Sequence, residues 1–157
     1  GTMGKAMGCF GAFIACTSEA KQLLINRART FIFTTALPAS VVAPAIQALE
    51  IIKKEPERRK RLKKNYSFMR NALKNLGFNT LESETQIIPL MIGDPQTAVD
   101  MAKFLFENGL FIQAIRPPTV PVGSARLRIT TTALHTTDDI KEAIELLEKA
   151  GRYFKLI

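Results

Sequence analysis

Apolar residues along this chain of 157 residues form short unbroken runs near the start and spaced, helical patterns further on. Ala12-Phe13-Ile14-Ala15-Cys16 is one such run, the pattern of a strand covered on both faces. Ser18 can cap the helix that follows, where Leu23, Leu24 and Ala28 mark one face. Thr30-Phe31-Ile32-Phe33-Thr34-Thr35 is rich in β-branched and aromatic residues and reads as a second buried strand. Strand, helix, strand in that order predicts a parallel pair at the edge of an α/β sheet. A long helical stretch then runs from Pro38 to about Leu76. Pro56 should kink or split it, because proline removes an amide donor and clashes with the preceding turn. Gly77 supplies the stop.

From Phe78 onward the pattern changes. Gln86 to Ile92 is a strand candidate, and Asp94-Pro95 is a strong helix start, a capping carboxylate followed by proline at the first helical position. Val99, Ala102, Leu105 and Phe106 keep one face, and Gly109 ends that helix. Leu110 to Ala114 and Arg126 to Thr132 read as two more strands around a proline-rich loop. Thr136-x-x-Asp139 resembles a capping box ahead of Ile140, Ala143, Ile144 and Leu147, with Gly151 as the stop. Residues 78–157 can therefore cover their own sheet as a small α+β unit. Residues 1–37 cannot, since two strands of the buried type and one helix leave a sheet face open, and they must dock on something else.

Composition changes this picture little. The chain is 46% hydrophobic and 23% charged, which is globular rather than disordered. No apolar run reaches the roughly 18 residues of a membrane span, and no basic n-region precedes an apolar stretch as in a secretory signal. Cys9 and Cys16 with a single histidine do not make a metal set. Cys16 reads as a small core residue, and a reducing cytosol fits the cysteine usage.

The formal net charge of +8 is uneven. Lys53 to Lys64 holds eight Lys or Arg against Glu55 and Glu57. A solvated helix face is the expected reading, because Ile51, Ile52, Leu62 and Phe68 give the stretch a buried side. No aromatic residues interleave with the charges, so nothing favours a nucleic acid partner. The competing reading is a surface for acyl carrier protein or the phosphates of coenzyme A.

Three segments carry candidate chemistry. Gly1-Thr2-Met3-Gly4-Lys5 sets a lysine among small neighbours that would let a flat cofactor approach the backbone. It is not a phosphate loop of the nucleotide-binding type, because Ala6 follows Lys5 and the glycine spacing differs. Thr34-Thr35 precede a helix start, a place suited either to phosphate or to ordinary capping. Arg116-Pro117-Pro118-Thr119-Val120-Pro121-Val122-Gly123 is a stiff loop able to hold Thr119 against a ligand, or simply to join two strands. Arg126 and Arg128 alternate on a strand and share a face; a forked guanidinium suits a carboxylate. His135 reads as a hydrogen-bonder at a helix start.

In order and spacing these segments resemble the α-oxoamine synthases, fold-type I pyridoxal-phosphate enzymes that join an amino acid to an acyl thioester with loss of carbon dioxide. The resemblance starts at that family's lysine loop and covers nearly the whole chain. It implies the end of a large cofactor-binding domain (1–50), a connecting helical segment (51–77) and a small C-terminal α+β domain (78–157). It implies pyridoxal 5'-phosphate as cofactor, with Lys5 as the lysine that binds it covalently and acts in catalysis. Thr2 becomes a phosphate contact, and Thr34-Thr35 the segment reaching the phosphate of the neighbouring subunit in a homodimer, Thr35 being preferred. Arg128 becomes the holder of the amino-acid carboxylate, and Thr119 a substrate contact. The loop Ile115-Arg116-Pro117-Pro118-Thr119-Val120-Pro121 resembles that of the biotin-pathway member, which uses L-alanine and pimeloyl-CoA or pimeloyl-acyl carrier protein; the alternatives are a glycine-using member or a protein-binding module without catalysis. The family's remaining cofactor contacts lie before the lysine, so the chain alone is expected to be inactive. A cytoplasmic homodimer is the implied setting, with neither nucleic acid nor membrane as partner.

Overall fold

The computed structural model describes residues 1–157, which divide into two compact units, Gly1–Pro56 and Glu57–Ile157. No helix is long and apolar enough to cross a membrane.

The first unit opens on an irregular loop in which a single bridge joins Thr2 to Ala12. Helix α1 (Ser18–Arg27) follows, then the short α2 (Arg29–Ile32) and α3 (Ala39–Lys54). Thr17, not Ser18, caps α1, its hydroxyl accepting from the Ala20 amide at 3.3 Å. The two expected strands are absent as strands. Residues 13–16 carry no ladder, and Arg29–Ile32 close one helical turn that takes in the start of the stretch 30–35. Short apolar runs leave helix and strand undecided, and a strand persists only where neighbours take its amides and carbonyls. Here the Thr2–Ala12 bridge is the sole such pairing in the unit. Cys16 is accordingly exposed rather than a core residue, and Ala45 is the unit's one buried residue. Pro44 sits inside α3.

The second unit forms the strands and helices its pattern predicts, with shifts at β2 and at the end of α6. Pro56 ends one helix and starts the next, α4 (Pro56–Asn75). On α4, Met69 and Leu73 are buried while Arg58, Arg59, Lys60, Arg61, Lys63 and Lys64 are exposed, the geometry of a solvated basic face. Gly77 then takes φ +97°, a conformation that suits glycine at a helix end. Strand β1 (Ile87–Gly93), helix α5 (Pro95–Glu107), strands β2 (Gln113–Ile115) and β3 (Ala125–Thr130) and helix α6 (Thr137–Tyr153) complete the chain. The sheet is antiparallel in the order β1-β3-β2. Strand β2 is shorter than the expected 110–114, and starts where it can pair with β3.

Both expected caps form. Asp94 accepts from the Thr97 amide at 2.7 Å, and Thr136 and Asp139 make a reciprocal capping box. Gly151 does not stop α6, which continues to Tyr153. A Cβ at Gly151 would lie 2.4 Å from Cζ of Phe78, so glycine here allows a ring to touch the helix backbone. Leu73, Ile88, Leu90, Met101, Leu105, Leu127, Ile140 and Leu147 form a core between one sheet face and the helices.

Candidate functional site

Strand alternation leaves the opposite sheet face open. Ile88 and Leu90 on β1 and Leu127 and Ile129 on β3 turn into the core, so Pro89, Arg126 and Arg128 turn the other way. Register then sets their neighbours: Arg128 stands between Pro89 and Gln113, and Arg126 between Met91 and Ile115. Arg128 Nη2 donates to Gln113 Oε1 at 2.9 Å, which holds the guanidinium across the sheet. Arg126 Nε donates to the Ser124 carbonyl at 2.9 Å.

These side chains line a groove of about 510 Å³ with Leu81, Ser83, Thr85, Ile87, Pro89, Ile115 and Thr119. Thr119 reaches it from the proline-rich loop, whose turn closes by a bond from its amide to the Arg116 carbonyl at 3.1 Å. Leu81 has φ +51°, rare for a branched side chain, and its amide donates to Asn79 Oδ1 at 3.0 Å. The groove thus holds two cations, three hydroxyls and an apolar wall, with no carboxylate. Such a lining favours an anionic ligand with an apolar body.

A second, larger cleft of about 710 Å³ lies beside α6 and the segment 108–112. It contains none of Lys5, Thr2, Thr34, Thr35, Thr119 and Arg128, and its rim carries Asp139, Glu142 and Glu145. Size does not decide here; the chemistry expected of a carboxylate-binding site is in the smaller groove.

The first unit holds the other candidates. Lys5 Nζ donates to Thr2 Oγ1 at 3.3 Å, and both residues are exposed. The loop carrying them is folded by backbone bonds from Met3 to the Gly11 carbonyl and from Cys9 to the Met3 carbonyl, each 2.9 Å. Gly11, at φ +117°, has Met3 Cε and Leu37 Cδ1 within 2.9 Å of any Cβ it could bear. Glycine there lets the lysine loop and the segment after Thr35 meet. Thr34 Oγ1 donates back to the Thr30 carbonyl, and α3 has Pro38 at its N-cap without a side-chain bond. Thr34 thus makes a local bond to the turn before it, and the N-cap position of α3 makes no side-chain capping bond.

The structure thus pairs Lys5 with Thr2, and Thr119 with Arg128, in separate units. Gln113, Ser83 and Thr85 escaped the sequence reading. Only the strand register could have revealed Gln113, since it lies 15 residues from Arg128 with no motif joining them. His135 takes the expected place before α6: its Nδ1 accepts from the Thr132 amide at 3.4 Å and its carbonyl from Asn65 at 2.9 Å.

Comparison with known proteins adds relatives to this geometry. The family "Aminotransferase class I and II" matches residues 1–147. The 8-amino-7-oxononanoate synthase of Geobacter sulfurreducens is 42% identical over 159 residues, covering 100% of this chain and 41% of that protein. The enzyme of the same name from Pelobacter propionicus is 46% identical over 154 residues, covering 97% of this chain and 39% of its own. Among solved structures, a serine palmitoyltransferase with pyridoxal phosphate as internal aldimine matches with a TM-score of 0.92 at 31% identity, covering 99% of this chain and 40% of that one. The chain spans about two-fifths of the length of these relatives.

Proposed function

The chain belongs to the class I and II aminotransferase family, and from that membership we propose that it is the C-terminal part of an acyltransferase dependent on pyridoxal 5'-phosphate. The reaction is the decarboxylating condensation of L-alanine with a pimeloyl thioester to 8-amino-7-oxononanoate, a step of biotin biosynthesis. The observation that carries the reading is Lys5 beside Thr2 in a loop of small residues. An amine for the cofactor's aldehyde and a hydroxyl for its phosphate stand one hydrogen bond apart. Gly8 adds room, since a Cβ there would meet nothing within 4 Å. The donor set fits the cofactor's aldehyde and phosphate.

Pyridoxal phosphate, when bound, draws electron density from the amino acid so that its α-proton becomes acidic. Lys5 would hold the cofactor through its amine and would move the proton at the alanine Cα. Thr2 donates its hydroxyl to the phosphate. Thr35, with Thr34, serves the phosphate of the neighbouring subunit in a homodimer. Arg128 forks onto the alanine carboxylate, pre-set by Gln113, and Thr119 contacts substrate from the loop. This chain by itself is inactive in this reading.

The test is steady-state turnover by the full-length enzyme with alanine and pimeloyl-CoA. Lys5→Ala should abolish it, and Arg128→Gln should raise the KM for alanine by roughly tenfold or more. A full-length enzyme that prefers glycine would overturn the substrate assignment. Lys5-dependent cofactor absorbance together with turnover by the 157-residue chain would overturn its inactivity.

A further inference from the structure

Arg128 accounts for one anion in a groove that is built for two. Arg126 stands two residues away on β3, facing the same way, so the guanidinium stems leave the strand roughly 7 Å apart. Its Nε donates to the Ser124 carbonyl at 2.9 Å, an anchor that fixes the plane of the guanidinium. No carboxylate lines the groove to neutralise either arginine. Arg126 is partly buried and Arg128 exposed, and two like charges on one sheet face repel unless anions offset them. Between and beside the two cations lie Ile115, opposite Arg126, and Pro89, opposite Arg128, with Ile87 and Leu81 beyond. Two cationic ends joined by an apolar strip match a ligand with two anionic groups separated by methylenes.

We propose that Arg126 binds the distal carboxylate of the acyl donor, and so selects an acyl thioester whose chain ends in a free carboxylate over one ending in methyl. This rests on the reading of the groove as the substrate site, and deepens it by dividing the two arginines between two substrates: Arg128 for the amino acid, Arg126 for the acyl chain. Arg126 acts on specificity and does not touch the reacting atoms. The strip formed by Ile115 and Pro89 takes the methylenes, whose burial adds affinity without adding selectivity for the end group.

The experiment compares pimeloyl-CoA with heptanoyl-CoA, the same chain length without the terminal carboxylate, in the full-length holoenzyme. Arg126→Gln should lower kcat/KM for pimeloyl-CoA by about tenfold to a hundredfold, the scale of one lost charge-assisted contact. It should leave kcat/KM for heptanoyl-CoA and the KM for alanine unchanged. Equal loss with both donors, or a raised KM for alanine, would overturn the proposal. Arg126→Lys should recover part of the preference, which a merely structural role would not predict. Should the holoenzyme use neither donor, the proposed reaction fails on its own terms. Arg126 is then still tested on this chain by titrating pimelate and heptanoate into protein with ¹⁵N-labelled arginine. Pimelate should move the Arg126 Nε–H resonance and Arg126→Gln should weaken its binding, heptanoate being less affected. An unmoved resonance sinks the idea.

Discussion

Residues 57–157 and residues 1–56 contain similar apolar side chains and use them in opposite ways. In the second unit, Leu73, Ile88, Leu90, Leu127 and Leu147 are sealed completely, and a two-layer arrangement of sheet and helices leaves them no solvent. In the first, Phe10, Phe13, Ile14, Phe31 and Phe33 are exposed, Phe33 by 77%, and Ala45 alone is buried. The lysine loop thus sits in the unit with almost no core of its own, while the groove lined by Arg126 and Arg128 sits on the unit with a full one. Binding surface on a rigid sheet is positioned by packing, whereas the first unit's loop is positioned by a few backbone bonds and by Gly11. Exposed apolar groups in such number mark interaction surface.

The largest effects should separate the units directly. Leu127→Ala removes a fully buried side chain from the centre of β3 and should cost about 2–5 kcal/mol in chemical denaturation of this chain. Phe33→Ala should change stability by no more than about 0.5 kcal/mol, because the ring touches little. Comparable losses would show that the first unit is packed after all. Amide exchange should agree, with Leu90 and Leu127 among the slowest amides and residues 13–16 among the fastest.

Gly151→Ala probes how tightly the second unit is closed. Alanine should favour the helix by about 1 kcal/mol. The added Cβ, however, would meet Cζ of Phe78 at 2.4 Å and Cγ1 of Ile157 at 3.0 Å. Phe78 is a buried ring that cannot swing clear, so overpacking by about 1–3 kcal/mol should win and the unfolding midpoint should fall. A raised midpoint would mean the interface yields.

Gly151 also shows where sequence stops being informative. As a glycine near a helix end it reads as a stop; what it provides instead is room for a phenylalanine 73 positions away. Asp94-Pro95 and Thr136-x-x-Asp139 were legible because capping is decided within four residues. The runs 12–16 and 30–35 were not, because an apolar run states that something must be covered without stating by what. The groove divides along the same line. That Arg126 and Arg128 share a face follows from alternation alone. That Gln113 holds Arg128, and that Leu81 and Ser83 come to the same place, depends on strand pairing and a connection that local pattern does not encode.

Identical caps offer a finer comparison. Thr17 caps α1 and Thr136 caps α6 in the same way, each hydroxyl oxygen accepting from a backbone amide three residues on. Thr136→Ala should lower global stability by about 1 kcal/mol, since α6 carries Ile140, Leu147 and Ala150 into the core. Thr17→Ala should leave the global transition in place and only fray a helix that buries nothing. Equal shifts would mean that the two units unfold together.

Acid should reveal the same contrast, more weakly. The Thr136 amide, donating at 2.7 Å, holds the Asp139 carboxyl below its ordinary 3.8, with the Thr136 hydroxyl adding to it. The Thr97 amide does the same for Asp94, and the Glu19 carboxyl of α1 is held below its ordinary 4.5 by its own backbone amide and by Thr17. A carboxyl depressed in the folded state binds fewer protons there than in the unfolded chain, so stability rises with pH across the interval between the two values. The contribution is therefore complete above about 3.8 for the aspartates and is lost as pH falls through their depressed folded values. Asp139→Asn, which cannot be protonated in that range, should flatten the decline of Tm below pH 3.8 relative to the unsubstituted chain. Glu19→Gln should leave that decline unchanged, because α1 buries no residue through which its protonation could reach the cooperative core. A flattening by Glu19→Gln as large as that by Asp139→Asn would erase the distinction between a unit that folds on its own core and one that does not.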